Sequence, residues 1–427
     1  MRRSMLALAL ALAPGCLPDG GSDDESRVII EDVDGDVGAT IDAESAEDMG
    51  PPIWDAAPMI DAALPPPSSD GIDVVEVEDV EFTRGRTDFL EVELPDDVVS
   101  LTIIAEGEPT VLFCINHLEG PDGTILVAQD PPGVTLSPFD QQISPCPGAF
   151  KSPNRSATTT TGIGAVLAPN NPGVAVGPGR WRYRASAIGA FGPVTTRARF
   201  KLLIKRADPA PTVGTLDLHL HFTGARGWTA ANAPTDPDFQ RALARMEGFY
   251  QRIGITLGEK TYDDIPAEYR AVDSGPEGPG ADADNSSLHH MFQLSAYDTG
   301  VSLFFVDRIG EPMFGGAIGG IAGGTPGPSL QAGTVRSGVA VATQLDPNPD
   351  SIGHIMGHET GHFLGLYHTQ EFIGGITDQI DDTAPGQGGS DNLMFPTVTS
   401  APARLTDGQG FVLHRSPCIT PVAEEAP

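Results

Sequence analysis

The chain divides into stretches that differ in how hydrophobic and polar residues follow one another. Between residues 81 and 206, short apolar runs such as 89–94 and 99–104 are separated by Gly, Pro and Asp. Regularly spaced runs of strand-forming residues with turn signals between them predict an all-β sandwich. From residue 212 to residue 418, apolar runs typical of strands alternate with segments whose apolar residues have helical spacing, which predicts an α/β region. The fold class predicted is therefore multidomain, an N-terminal sandwich followed by an α/β domain.

Within the α/β region, individual elements can be predicted from periodicity. Residues 216–222 alternate as a half-buried strand does, and residues 301–306 form a continuous apolar run typical of a buried strand. Residues 236–253 carry apolar side chains at helical spacing, preceded by Thr235 and Asp236 as candidate N-caps.

The N-terminus has the pattern of an export signal over residues 1–16. Two arginines precede a short apolar run, which ends at Ala13-Pro14-Gly15-Cys16. Small residues before a cysteine resemble the lipobox of bacterial lipoproteins, and this resemblance implies lipidation of Cys16. The alternative is ordinary signal cleavage with Cys16 unmodified. Both alternatives predict an extracytoplasmic protein, either lipid-anchored to a bacterial membrane or secreted.

Charge and composition add two further expectations. Residues 17–80 are dense in Asp, Glu and Pro, which predicts a disordered tether, and residues 419–427 read as a tail. The formal net charge of the whole chain is −33, a field that repels nucleic acid. We therefore expect no nucleic-acid partner, and contact with a membrane only through a lipid anchor.

The cysteines allow one disulfide in an exported protein. Cys114 and Cys146 lie in the same predicted region and are the natural pair, which leaves Cys418 over.

The chemistry is concentrated in residues 358–368, which fit the pattern H-E-x-x-H-x-x-G-x-x-H. On a helix, His358 and His362 project from one face at chelating distance, and Gly365 lets the chain turn so that His368 becomes a third ligand. Three imidazoles suit Zn²⁺ and leave a fourth position open, as catalytic sites do. Glu359 then accepts a proton from a zinc-bound water that attacks a carbonyl.

This extended motif is that of the metzincin zinc peptidases. Asp391-Asn392-Leu393-Met394-Phe395-Pro396 resembles the Met-turn of that clan, with Met394 as its methionine. The resemblance implies a twisted, mostly parallel sheet with the zinc helix below the cleft.

Within the clan, residues 378–385 and 405–409 resemble the pappalysin family, although Pro396 stands where many such Met-turns carry a Tyr. Asp378, Asp381 and Asp382 form a candidate Ca²⁺ site, for which a solvated acidic loop is the alternative.

The expected function is that of a monomeric zinc endopeptidase acting on protein or peptide substrates. The first alternative is a surface binding lipoprotein with a vestigial peptidase domain, and a second is a non-proteolytic zinc hydrolase. Because every candidate catalytic residue follows Gly357 and a linker precedes Thr212, we expect the chemistry not to require the sandwich.

Overall fold

A computed structural model describes residues 71–422, except 138–139, 141–143, 157–159, 276–277, 312–315, 372–375, 384–388 and 399. The predicted signal peptide with Cys16, nearly all of the predicted tether and the end of the tail lie outside these residues. None of the described helices is both long and apolar enough to cross a membrane.

The described part is mostly β-sheet with a few helices. Its strands are β1 Ile72–Phe82, β2 Leu90–Leu94, β3 Val98–Gly107, β4 Leu112–Glu119, β5 Ile125–Val127, β6 Ile163–Ala168, β7 Gly179–Gly189, β8 Gly192–Pro193, β9 Thr196–Arg206, β10 Gly214–Phe222, β11 Ile255–Asp264, β12 Ala271–Asp273, β13 Val301–Val306, β14 Arg308–Glu311, β15 Gly316–Ile318, β16 Gly320–Ala322, β17 Val339–Ala342 and β18 Ile419–Pro421. Its α-helices are α1 Pro147–Phe150, α2 Pro237–Gln251, α3 Ser287–Phe292, α4 Pro349–Phe363 and α5 Asp407–Leu413.

The N-terminal half is built from two antiparallel sheets that share one hydrophobic core. One sheet has the order β1-β9-β3-β6, and the other has the order β2-β7-β4-β5 with β8 paired to β7. Phe82, Phe113 and Phe200 meet in the core between them. Cys114 and Cys146 form a disulfide in this half, whereas Cys418 is buried as a free thiol in the other.

The boundary predicted at residue 81 is wrong, because β1 begins at Ile72 and pairs along its length with β9. The acidic residues that made this segment resemble a tether alternate with valines, as in an edge strand. Some of the charge is paired across the sheet, as where Asp73 accepts from Arg206 at 3.1 Å. Cross-strand pairs of opposite charge stabilise a strand that composition alone predicts to be disordered.

The C-terminal half contains a sheet of order β11-β10-β13-β17-β16, with β18 paired to β10. The strands β11, β10, β13 and β17 run parallel, while β16 and β18 are antiparallel to their neighbours. Alternate side chains of β10 lie on opposite faces of the sheet. The apolar ones face the core shared with α2 and α4, namely Leu216, Leu218, Leu220 and Phe222. His219 and His221 lie on the other face. This sheet therefore supports α4 from one side.

The two halves contact each other through buried polar groups. Lys205 of β9 is fully buried, and its Nζ donates to the carbonyl oxygens of His414, Ser416 and Ile419 at 2.6–2.8 Å. Ser100 of β3 donates to Arg415 O at 2.7 Å. The two halves joined by the linker after β9 are therefore packed against each other at this interface.

Candidate metal centre

Helix α4 carries the motif and is buried along nearly its whole length. Asn348 caps its N-terminus by accepting from Asp350 N at 3.0 Å. Tyr250 of α2 donates to Gly357 O at 2.8 Å and fixes the two helices against each other. His354, which lies one turn before His358, is buried against Phe249 although it stands near the start of the helix.

The chain leaves the helix through Gly365, whose φ of +115° favours glycine. Its amide donates to His362 O, and the next amide, of Leu366, donates to Gly361 O, both at 2.9 Å. This turn brings His368 back toward the helix, as the motif predicts.

The three histidines converge on one point. The Nε2 atom of His358 lies 3.0 Å from Nε2 of His362 and 3.2 Å from Nε2 of His368. Among the described residues, this is the one group of three or more potential ligands that could hold a metal, with all ligand atoms within 4.8 Å. Zn–N bonds of about 2.0–2.1 Å in a tetrahedral site place nitrogens about 3.3 Å apart. The spacing therefore fits a zinc ion.

The opposite nitrogen of each ring shows which atom carries the proton. His358 Nδ1 donates to Leu393 O and His362 Nδ1 donates to Leu366 O, both at 2.7 Å, and His368 Nδ1 donates to Glu371 Oε2 at 2.9 Å. With the protons on Nδ1, all three Nε2 atoms present lone pairs to one another and cannot hydrogen-bond among themselves. A cation resolves this repulsion.

Burial favours the neutral form of the His358 and His362 imidazoles, which is the form that metal binding requires. Burial, and then the neighbouring rings of His362 and His368, hold the pKa of His358 well below its ordinary value. Burial and then His368 lower the pKa of His362 in the same way. A neutral imidazole has a lone pair to give to a metal, whereas an imidazolium does not.

Two further residues complete the surroundings of the site. Glu359 is fully buried on α4 and lies under β16, where a Cβ added to Gly320 would be 2.9 Å from Glu359 Oε1. Met394 lies under the same helix, where a Cβ added to Gly361 would be 2.7 Å from its Sδ. The segment with Met394 thus supports α4 from below, and Leu393 next to it fixes the ring of His358.

Glu371 is a residue of this site that sequence reasoning missed. Its carboxylate is mostly buried and accepts from His368 Nδ1 at 2.9 Å, which fixes the orientation of that ring. The signal in the sequence is a carboxylate three residues after the third histidine, close enough to reach back to Nδ1.

Two of the three aspartates proposed for Ca²⁺ accept hydrogen bonds from protein donors. Asp378 is buried and accepts from Thr383 Oγ1, and Asp382 accepts from Gly408 N at 2.8 Å. With Asp381 they do not form a ligand group among the described residues. The calcium site remains a prediction.

Comparison with known proteins gives one informative similarity. No family model matches the chain. An extracellular metalloprotease of Verticillium alfalfae is 35% identical over 106 residues, which is 19% of this chain and 37% of that protein. The chain therefore spans less than half the length of that relative.

Metalloproteinase-II from Bacteroides fragilis, known from a crystal structure, is 14% identical over 52% of this chain and 62% of its own, with a TM-score of 0.28. That TM-score is too low for the two folds to be treated as the same.

Proposed function

We propose that this chain is a zinc-dependent endopeptidase that hydrolyses peptide bonds. The observation that carries the proposal is the convergence of three buried Nε2 atoms, each on a ring whose Nδ1 donates to a fixed acceptor. Such outer partners orient histidines for a metal and make the ligands more basic. The similarity to a metalloprotease over part of the chain supports the same assignment.

Glu359 is the residue proposed to move protons. It lies between two of the histidines in sequence and is buried on the same helix. Bound zinc would supply a Lewis acid that polarises the scissile carbonyl and makes water more acidic. Glu359 takes a proton from the attacking water and later passes it to the leaving amine, a role that contributes roughly 10²–10⁴-fold.

The sheet supplies a place for an extended substrate. β16 is the last strand in its sheet and pairs with β17 on one side. A peptide that adds a strand to a sheet edge gains main-chain hydrogen bonds that do not depend on its sequence. Because Glu359 packs under Gly320, a peptide paired with β16 would pass close to the proposed base. This favours cleavage within a chain.

The finer parts of the proposal rest on the motif and its surroundings. Met394 under α4 and the intact histidine set support a metzincin of the pappalysin type. The name of the similar Verticillium protein supports an extracellular location, and the N-terminal signal supports secretion or lipid anchoring at Cys16. A vestigial domain on a binding lipoprotein is the rival function. Peptidase domains that have lost activity commonly lack a metal ligand or the catalytic base. The three histidines and Glu359 are all present here.

Glu359→Gln tests the proposal directly, because Gln keeps the shape of Glu but cannot accept a proton. We expect wild-type protein to bind one zinc per chain, to cleave a denatured protein substrate, and to lose that activity with a chelator. The variant should keep its zinc and its thermal unfolding temperature and lose activity at least about 100-fold. Cleavage at near wild-type rate by a zinc-loaded variant would exclude Glu359 as the base. A wild type that holds zinc without cleaving would favour the vestigial function.

A further inference from the structure

One arginine of the N-terminal half reaches into the segment that carries the third histidine. Arg155 follows α1 in the chain, and its side chain is 4% exposed. Its guanidinium lies 4.4 Å from the centre of the Phe150 ring and 4.8 Å from that of Tyr367. Since Tyr367 immediately precedes His368, this stacking links the sandwich half to the metal centre.

Hydrogen bonds extend the link along the segment. Arg155 Nη2 donates to Thr377 O at 2.7 Å, and Tyr367 Oη donates to Arg155 O at 3.3 Å. Thr377 is bridged to Gln370, and Glu371 N donates to Ile376 O at 2.8 Å. Arg155 therefore bonds to both ends of residues 367–377, between which Glu371 lies.

Electrostatics favours the same role. The Nε and Nη1 atoms of Arg155 have no hydrogen-bond partner among the described residues, so hydrogen bonding compensates its buried charge only in part. The Glu371 carboxylate accepts from His368 Nδ1, so the contacts run from Arg155 through the Thr377–Gln370 bridge and the adjacent Glu371 to the ring.

We infer that Arg155 is a positioning residue of the metal centre. It holds Tyr367 and Thr377 so that Glu371 keeps His368 turned with Nε2 toward the other two histidines. The inference rests on the proposed function only in requiring that this centre binds zinc. It also means that the sandwich half supplies a part of the site.

The test compares variants of the full chain by their affinity for zinc. Arg155→Met fills the same space without the charge, and Arg155→Lys keeps the charge without the planar fork. Lys205→Met is the matched control, because Lys205 is also a buried cation between the halves but bonds to His414, Ser416 and Ile419. Zinc dissociation constants come from chelator competition, absorption spectra of the Co²⁺-loaded proteins report ligand geometry, and thermal unfolding of the metal-free proteins reports stability.

We expect Arg155→Met to raise the zinc dissociation constant about 10-fold or more, as loss of outer-shell contacts does, and to change the Co²⁺ spectrum. Arg155→Lys should recover part of the affinity. Lys205→Met should lower the unfolding temperature and leave the zinc dissociation constant within about 3-fold. Should Arg155→Met not fold, the inference stands or falls on whether Arg155→Lys weakens zinc binding.

Unchanged zinc affinity in both Arg155 variants would overturn the inference while leaving the proposed function intact. Equal weakening by Lys205→Met would also overturn it, because general loosening of the interface would then be the cause. A wild-type chain that binds no zinc would instead refute the proposed function, and the inference with it.

Discussion

Gly320 of β16 leaves room for the proposed base, and Gly320→Ala should therefore impair catalysis more than folding. A Cβ at this position would lie 2.5 Å from Glu359 Cγ, 2.7 Å from Ile355 Cγ2 and 2.9 Å from Glu359 Oε1. Carbon atoms in contact normally lie about 3.5–4.0 Å apart, so the Glu359 side chain must retreat by about 1 Å. A misplacement of that size can cost about 100-fold in rate.

The overpacking should also cost about 1–3 kcal/mol of stability, which a matched control separates from the catalytic effect. Gly214 of β10 is equally crowded, since a Cβ added there would lie 2.6 Å from Ile419 Cγ2, but its neighbours are not site residues. We expect Gly320→Ala to lower kcat for a quenched peptide about 100-fold at full zinc content, and Gly214→Ala to leave kcat within about 3-fold. A zinc-loaded Gly320→Ala protein with wild-type kcat would refute the placement of Glu359 as the base.

Three remaining predictions concern the metal, the acidic loop and the sandwich. His368→Ala should greatly weaken zinc binding by chelator competition, and unchanged affinity would mean that another residue is the third ligand. Burial raises the pKa of Asp378 to about 7, whereas the pKa of Asp in an unfolded chain is about 3.9. Between these two pH values folding takes up a proton, so the free energy of unfolding falls as pH rises from about 4 to 7. Asp378→Asn should remove up to about 4 kcal/mol of this pH dependence, measured by urea unfolding of the metal-free chain. Equal slopes of unfolding free energy against pH in variant and wild type would contradict the prediction. If Ca²⁺ abolishes the slope in wild type, the calcium site is supported. A chain beginning at Pro209 should bind zinc more weakly than the full chain, contrary to the expectation from sequence, and equal affinity would show that the sandwich half is dispensable.

The parts of the site that sequence reasoning reached are those encoded locally. Helical spacing places His358 and His362 on one face, and a single glycine turn returns His368 to them. The strands β10 and β13 were likewise predictable, β10 from its alternating pattern and β13 from its continuous apolar run.

The parts that escaped depend on distant residues. Arg155 meets Thr377, 222 positions away, and nothing in its own neighbourhood distinguishes it from an exposed loop arginine. The burial of His354 depends on Phe249 from another helix. Strand β1 was hidden because its charge was counted without the basic residues of β9 that pair with it.

The linker between the halves marks a change of secondary structure and not a boundary of folding. Lys205 lies next to the end of β9, just before the linker begins at Ala207, yet its ammonium is buried against the last strand and helix of the other half. Leu167 of β6 belongs to the core of that half and would lie 2.9 Å from a Cβ on Gly365, at the turn that returns His368. Removal of the N-terminal half would expose the Leu167 contact surface to water and eliminate the Lys205 hydrogen bonds. Hydrogen bonds from charged groups contribute about 1.5–3 kcal/mol each, a sizeable part of the usual total stability of about 5–15 kcal/mol. The turn that carries His368 is therefore packed by both halves, so removing the N-terminal half should disturb the proposed third ligand.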